Sequence, residues 1–427
     1  MSQVVKKSPI QKEPQTKNDN KQLLTWIIAL AIPLFIMLIP STESFTPTIK
    51  HFLAITVLAI FCMATNILSS NLVAAMLPVL YVLFNVAKPA EAFGPWTSTV
   101  VWTSFGGIII AHILITSGLA RRIAYFTILK TGGSFRGVLI GIMLAGIIIT
   151  PFVPSVMGKM AIIVPIAIGV CQALGYEAKS RGATAVMITA FLAIASPRLG
   201  FLTGDGGIPM MMGIVTNITQ VPISWSEYAI HNLPFSLLFS FASLVIVLIV
   251  LKPEKEMESK DVLKGKYDEL GSITSNEKKV VVLLICTIIA LTTDFIHGID
   301  AAWIFMIAGA ISFLPGISLM NDEQLGKLNY KILLFVAGCM SIGTVATACG
   351  AGKWIANALF PYIAGTELYT TVAVWFFGVA MNFVLTPLAA LASFTAPITE
   401  VCLAAGINPN PVIYSFLQGF RSILIAL

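Results

Sequence analysis

The chain has 427 residues, of which 57% are hydrophobic and only 11% are charged. Soluble domains carry about 25% charged residues, so this composition excludes a soluble globular protein. The charges lie in short polar segments, and the apolar stretches between them have the length that a helix needs to cross a bilayer. We predict an all-α polytopic membrane protein, because a β-barrel would show short segments of alternating polarity instead.

Residues 1–22 are polar and rich in lysine, and no small-residue cleavage site follows the apolar stretch after them. We therefore predict a cytoplasmic tail and a retained first helix rather than a signal peptide. Most of the other Lys and Arg residues fall on the same side of the membrane as this tail, which explains the net charge of +6 without a nucleic-acid partner. The six cysteines are dispersed and form no Cys-x-x-Cys pair, which argues against disulfides or a zinc site.

Several apolar stretches have the length of one membrane crossing. We interpret them in chain order as residues 23–40, 51–68, 72–86, 100–119, 183–215, 229–251, 280–291, 301–314 and 332–348.

Two further apolar stretches, residues 138–174 and 372–405, are long enough for two half-crossings. Each contains prolines near its centre, Pro151 and Pro154 in the first and Pro387 in the second. Helix breakers leave backbone groups unpaired, so such segments must face protein or a water-filled cavity. We predict two re-entrant hairpins, an inner one and an outer one.

A linker of both charge signs, residues 252–279, divides the chain near its middle, and we interpret it as a solvated cytoplasmic connection. It separates a first transmembrane half, residues 23–251, from a second, residues 280–427. Because the sequence stops inside an apolar run at Leu427, we expect the second half to be incomplete.

The two halves repeat a sequence pattern. The run Phe105-Gly106-Gly107, with Gly118 after it, matches Val336-Ala337-Gly338 with Gly350 after it. A Thr-Pro pair precedes a further proline in each hairpin. One copy enters the membrane from outside and the other from inside, so we predict inverted-topology repeats, a pattern typical of secondary transporters.

These matched segments resemble the divalent anion/sodium symporter family, which transports di- and tricarboxylates and sulfate. The resemblance covers nearly the whole chain and places a scaffold helix at residues 105–124, with an unwound helix at residues 193–212. It implies a scaffold part in each half, an elevator-type movement, a homodimer and sodium as the coupling ion, with no other cofactor or metal.

At both hairpin tips the chain departs from the pattern of the family that it resembles, as a divergent member would. The family has Ser-Asn-Thr ten residues before a proline, whereas this chain has Ser155-Val156-Met157 and Pro387-Leu388-Ala389. Because these side chains are absent, the resemblance does not identify the substrate. Backbone amides at half-helix N-termini can still bind an anion. The candidate substrate-binding residues are Thr150, Ser155, Val156, Met157, Lys159, Thr386, Pro387, Leu388 and Ala389.

Lys159 is a charged residue within the first hairpin. A lysine at membrane depth costs about 2.5–3.5 kcal/mol on insertion scales and usually faces a cavity. We expect its ammonium either to pair with an anionic substrate or to occupy the place of a sodium ion. The alternative is a lysine that extends its long stem to the membrane interface.

Ser196-Pro197-Arg198 and the glycine-rich residues 204–209 interrupt the fifth crossing twice. We predict an unwound segment whose carbonyls bind a cation. Asp205 would add a negative charge, unless it and Arg198 merely neutralise each other. The candidate cation-binding residues are Ser155, Gly200, Gly204, Asp205 and Gly206.

Asp294, His297 and Asp300 match a metal-binding spacing only loosely, and we interpret them as a solvated external turn. No metalloprotease, serine-hydrolase or phosphate-loop motif is present, which argues against an enzyme. We predict a multi-pass protein of the cell membrane that carries a small anion by cation-coupled secondary transport. The alternatives are an anion exchanger or a proton-coupled carrier and, more remotely, a channel or an intramembrane enzyme.

Overall fold

The computed structural model describes residues 19–132, 134–253, 260–363, 365–383, 385 and 387–422. In these ranges all regular secondary structure is helical. The first half forms α1 (Asp19–Leu38), α2 (Pro47–Thr65), α3 (Ser70–Leu83), α4 (Pro89–Phe93), α5 (Thr99–Thr116), α6 (Leu119–Lys130), α7 (Phe135–Ile149), α8 (Val156–Ala173), α9 (Arg181–Ala195), α10 (Gly207–Thr219) and α11 (Trp225–Val250).

The linker and the second half form shorter helices on average. They are α12 (Lys260–Asp268), α13 (Ser275–Thr292), α14 (Asp294–His297), α15 (Ala301–Ile311), α16 (Asp322–Gly326), α17 (Lys331–Ala348), α18 (Ala351–Ile363), α19 (Glu367–Met381), α20 (Pro387–Ala404) and α21 (Pro409–Ser422).

Seven helical segments among the described residues are long and apolar enough to cross a membrane. Their lipid-facing character is visible in α11, where Ile230, Leu238 and Ile249 are more than 60% exposed. Large apolar side chains at this exposure require a lipid environment, so the chain is a multi-pass membrane protein.

Glycines allow two pairs of helices to cross closely. A Cβ atom on Gly106 of α5 would lie 2.7 Å from the backbone of Phe305 in α15, and one on Gly338 of α17 would overlap the carbonyl oxygen of Ala74 in α3. The two crossings use glycines one position apart in the matched sequence pattern. Each of α5 and α17 thus packs on a helix from the opposite half.

The chain turns sharply after α5 and after α17 at matched glycines. Gly118 and Gly350 have φ angles of 81° and 78°, in the left-handed region that only glycine adopts without strain. Each glycine begins a short helix, α6 or α18, that continues in a new direction.

Both predicted hairpin stretches contain two helices that pack on a third. Helices α7 and α8 both contact α9, and α19 and α20 both contact α21. The helices begin slightly earlier than the predicted stretches, at Phe135 and Glu367 instead of residues 138 and 372. The long predicted crossing at residues 183–215 is two helices, α9 and α10.

The structure differs from the predicted domain limits at both polar segments. Helix α1 begins at Asp19, inside the predicted tail, and α12 lies inside the predicted linker. The linker is not simply solvated, because Leu263 is fully buried and α12 packs on α6 and α8.

Arg122 of α6, which we interpreted only as a topological charge, is buried and holds the end of this linker. Its Nε and Nη2 atoms donate to Glu277 at 2.7 and 3.1 Å, and the guanidinium also donates to the carbonyls of Leu270, Gly271 and Ser272. We call this set the linker clasp.

Candidate functional site

Helix α9 is separated from α10 by a buried break at residues 196–206. Pro197 begins a single 3-10 turn that ends at Gly200, and α10 starts only at Gly207. A Cβ atom on Gly204 would overlap the carbonyl oxygen of Arg198, so only glycine fits the path of the chain there. The predicted interruption of this crossing is therefore present, but as one continuous break between Ala195 and Gly207 rather than as two.

Lys159 connects the first hairpin to this break. It lies in the first turn of α8, its side chain has no exposed surface, and its Nζ donates to the carbonyl oxygen of Gly204 at 2.7 Å. The stem does not extend to an interface, which contradicts that alternative. The ammonium instead contacts one of the carbonyls that we predicted to bind a cation.

Asp205 and Arg198 form an ion pair within the break. Arg198 Nη1 lies 3.0 Å from Asp205 Oδ2, and Asp205 Oδ1 accepts the backbone N–H of Gly207 at 2.9 Å. Both side chains are nearly buried. Both carboxylate oxygens of Asp205 therefore already have protein donors.

Side-chain donors meet other carbonyls of the break as well. Tyr228 Oη donates to the carbonyl of Leu199 at 3.1 Å, and Ser236 Oγ donates to that of Ser196 at 2.9 Å. Backbone groups left without helical partners inside a membrane need such substitutes. Helix α11, which carries Tyr228 and Ser236, thus stabilises the broken conformation.

Thr203 ties the break to the loop of the first hairpin. Its Oγ1 donates to the carbonyl of Pro151 at 2.7 Å and accepts from Nε1 of Trp225 at 3.1 Å. The Trp225 ring stacks on Phe201 with centroids 5.9 Å apart. The hairpin loop, the break and the start of α11 are therefore joined in one buried hydrogen-bonded unit.

The remaining candidate residues of the first hairpin have local roles. Thr150 Oγ1 donates to the carbonyl of Gly146 at 2.6 Å, within its own helix. Ser155 caps α8 by accepting from Gly158 N at 3.2 Å. Val156 is half-buried, whereas Met157 is 75% exposed and presents an apolar surface at the tip.

At the second tip, Pro387 begins α20 and Leu388 is half-buried. Thr386 and the side chain of Ala389 lie outside the described residues. Helix α20 packs on α10, which brings the second hairpin against the helix that follows the break.

Two other predicted cation ligands are glycines in tight surroundings. A Cβ atom on Gly200 would lie 2.9–3.0 Å from Leu233 and Ser236 of α11, and one on Gly206 would lie 3.2 Å from Ile332 Cδ1. Close packing is thus a sufficient reason for glycine at both positions.

A cavity of about 830 Å³ lies beside the break. Leu202, Trp225 and one face of α10 form one wall, and the start of α5 and the end of α17 form the other. Hydroxyl groups such as those of Thr103 and Thr216 line it. The charged residues in its lining are the carboxylates Glu91, Asp294 and Asp300.

Asp294 is not part of a solvated turn, which corrects our interpretation. It is 6% exposed and accepts hydrogen bonds from the backbone N–H and the hydroxyl of Ser226. It therefore caps the first turn of α11.

Comparison with known proteins assigns nearly the whole chain to one family. The family described as the sodium:sulfate symporter transmembrane region matches residues 20–425. The chain belongs to this family. The predicted resemblance is confirmed at this level, and the family is one of membrane transporters rather than enzymes.

Two relatives of this chain are named as transporters of carboxylates. The citrate/succinate antiporter of Escherichia coli K12 is 23% identical over 410 residues, which cover 88% of this chain and 83% of the relative. Dicarboxylate transporter 1, chloroplastic, of Arabidopsis thaliana is 22% identical over 353 residues, which cover 80% and 63%.

A solved structure shares the fold. The crystal structure of the YdaH transporter of Alcanivorax borkumensis aligns with a TM-score of 0.53 at 13% identity, and the alignment covers 94% of this chain and 86% of that one.

Sequence reasoning missed most of the donors that hold the break in this family member. Thr203, Tyr228 and Ser236 contact it from within or from α11, yet each is an ordinary polar residue in its own segment. The sequence contains only an indirect indication of these donors. An unwound membrane segment needs hydrogen-bond donors, and α11 carries several hydroxyl residues on one side.

Proposed function

We propose that the chain carries a small anion across the cell membrane by secondary active transport, with its N-terminus in the cytoplasm. The substrate class is a di- or tricarboxylate, sulfate or a similar anion. The family supports a transporter, and the names of the two relatives support carboxylates as the first substrates to test.

The buried ammonium of Lys159 carries this proposal. A cation at membrane depth marks a substrate or ion pathway in most membrane proteins. It lies in the first turn of α8 and touches the segment that leads into α10. The N-terminal ends of these two helices add backbone donors and partial positive charge, which together favour an anion.

The hydrogen bonds around the break support an elevator-type movement. Thr203 and Lys159 join the hairpin to the break, so these parts would move together as a transport domain. The pairs α5 with α15 and α17 with α3 would form the scaffold, and their reciprocal packing supports the inverted repeat. By the resemblance to the family, we propose that this scaffold forms a homodimer.

Uptake into proteoliposomes tests the proposal. We expect saturable uptake of at least one member of a panel of succinate, citrate, sulfate and aspartate, and none into protein-free vesicles. Lys159→Met should lower the initial rate by about tenfold or more, since bonds to charged groups contribute ~1.5–3 kcal/mol. Lys264→Met, on the exposed surface of α12, is the matched control and should leave the rate unchanged. Conductance without saturation would identify a channel instead.

A specific observation favours exchange as a second candidate for the coupling mode. Gly204 and Asp205 are the predicted sodium ligands, but the Gly204 carbonyl accepts from Lys159 and the Asp205 oxygens accept from Arg198 and Gly207. A tethered ammonium at that carbonyl takes the place that a sodium ion would need.

Exchange and sodium coupling give opposite results in one assay. Exchange requires substrate inside the vesicles and is indifferent to replacement of sodium by choline outside. Sodium coupling drives accumulation into vesicles without internal substrate. Accumulation driven by a sodium gradient alone would contradict the exchange mode while leaving anion transport in place.

A further inference from the structure

A groove of about 670 Å³ that shares no lining residue with the break lies between α6 and α8, with Lys266 of α12 also in its lining. Its lining on α8 runs from Ala161 to Ala173, and its floor is apolar and includes Ile162, Pro165 and Ile166. Pro165 lacks a backbone N–H, so the Ala161 carbonyl in the same groove has no helical partner from that position.

The charged residues that line the described part of this groove are both basic. Arg121 comes from α6, with its guanidinium 5.8 Å from the centroid of the Tyr125 ring, and Lys266 comes from α12. Gln172 and the Tyr125 side chain add polar groups at the lining. Lys266 also pairs with Glu269 at 3.1 Å, but both partners are at least 40% exposed and such pairs are weak.

We propose that this groove binds an anionic phospholipid, with the phosphate at Arg121 and Lys266 and an acyl chain along the apolar face of α8. Basic pockets between membrane helices near an interface suit anionic headgroups. A free anion would satisfy the two cations but would leave the apolar floor uncovered. A neutral lipid would cover the floor but would not complement the charge.

The linker clasp determines the position of Lys266. Arg122 holds the residues directly after α12, and its guanidinium lies 5.7 Å from the centroid of the Tyr267 ring in that helix. Two neighbouring arginines of α6 therefore have different tasks. Arg122 faces inward and fixes the linker, whereas Arg121 is exposed at the groove.

Native mass spectrometry and thermal unfolding of the purified full chain test this site. We expect dioleoyl phosphatidylglycerol to be retained and to raise the unfolding temperature, and dioleoyl phosphatidylcholine to do neither. Replacing both basic residues, Arg121→Gln with Lys266→Gln, should weaken retention by about tenfold or more. The control pair Lys130→Gln with Lys264→Gln removes the same charge from the same two helices outside the groove and should retain the lipid.

Two further arms separate the alternatives. Ala161→Trp fills the groove without a change of charge and should also abolish retention, since Ala161 is exposed there. Equal stabilisation by phosphatidylcholine, or by glycerol 3-phosphate without acyl chains, would overturn the proposal. So would an equal loss of retention in the control pair. None of these readouts depends on the transported substrate.

Discussion

Lys159 and Arg122 are both buried cations, but their partners differ. Arg122 donates to the carboxylate of Glu277 through Nε and Nη2, and to three linker carbonyls through Nη1 and Nη2. Lys159 donates to the neutral backbone carbonyl of Gly204 at 2.7 Å, which orients the ammonium. Among these contacts, the guanidinium binds a carboxylate as well as carbonyls of the linker, and the ammonium binds a carbonyl of the broken helix.

This difference indicates two uses of a buried charge. A planar guanidinium with five donors suits a permanent connection, and the linker clasp joins segments about 150 positions apart in the chain. A lysine has a compact charge on a flexible stem, which suits a partner that comes and goes. We therefore expect loss of the clasp to affect stability, and loss of Lys159 to affect transport.

Glu277→Ala should produce the largest loss of stability. It leaves the Arg122 guanidinium buried without its carboxylate, and removal of one partner from a buried ion pair costs about 3–5 kcal/mol. Thermal unfolding in detergent measures this loss. Glu323→Ala, in the exposed pair with Lys327, is the control and should change stability little. The clasp has no structural role if both variants unfold alike.

Lys159→Met should cost less stability and more transport. It leaves the Gly204 carbonyl without its donor, at about 1–3 kcal/mol, while the burial cost of the ammonium disappears. Unfolding midpoints and uptake rates are measured on the same preparation. A midpoint as low as that of Glu277→Ala would show that both cations are structural.

The fold was largely predictable because its signals are local. Membrane length, prolines such as Pro151 and Pro197, and the matched Gly118 and Gly350 all act on the backbone where they stand. They predict crossings, hairpin loops and sharp turns without knowledge of distant contacts. The family resemblance follows from the same spacing.

The partners of the charges were less predictable, because they depend on contacts across the chain. Arg122 and Arg121 are adjacent and equally basic, and nothing local shows that only Arg122 is buried. Thr274 and Glu277 form a recognisable helix cap, but the cap does not show that Glu277 also binds Arg122. Asp205 was correctly placed in the break, whereas the hydrogen bond from Lys159 to the carbonyl of the neighbouring Gly204 depends on the three-dimensional structure.

Thr203→Val should have a smaller effect, and it should change both stability and transport. It removes the hydroxyl that bridges Pro151 and Trp225 while keeping the shape of the side chain, at a cost of about 1–3 kcal/mol. The hairpin should then move less tightly with the break, so uptake should fall although Lys159 is intact. Tryptophan fluorescence and uptake check this, and Thr219→Val, at the half-buried last residue of α10, is the control. Full uptake in Thr203→Val would separate the hairpin from the break.

The pH dependence of the clasp should be the smallest effect, since protonation removes a charge but no atoms. Burial alone would raise the pKa of Glu277, but the hydrogen bonds from Arg122 and Thr274 outweigh it and hold that pKa below its ordinary value of 4.5. The clasp therefore contributes its full stability above the ordinary pKa and loses it as pH falls through the lowered value. The hydrogen bond to Glu277 likewise raises the pKa of Arg122, which stays charged throughout. Stability measured from pH 6 downward should fall more steeply in the parent chain than in Glu277→Gln, whose amide does not titrate. Parallel curves would mean that the carboxylate is no better stabilised in the folded chain than in the unfolded one.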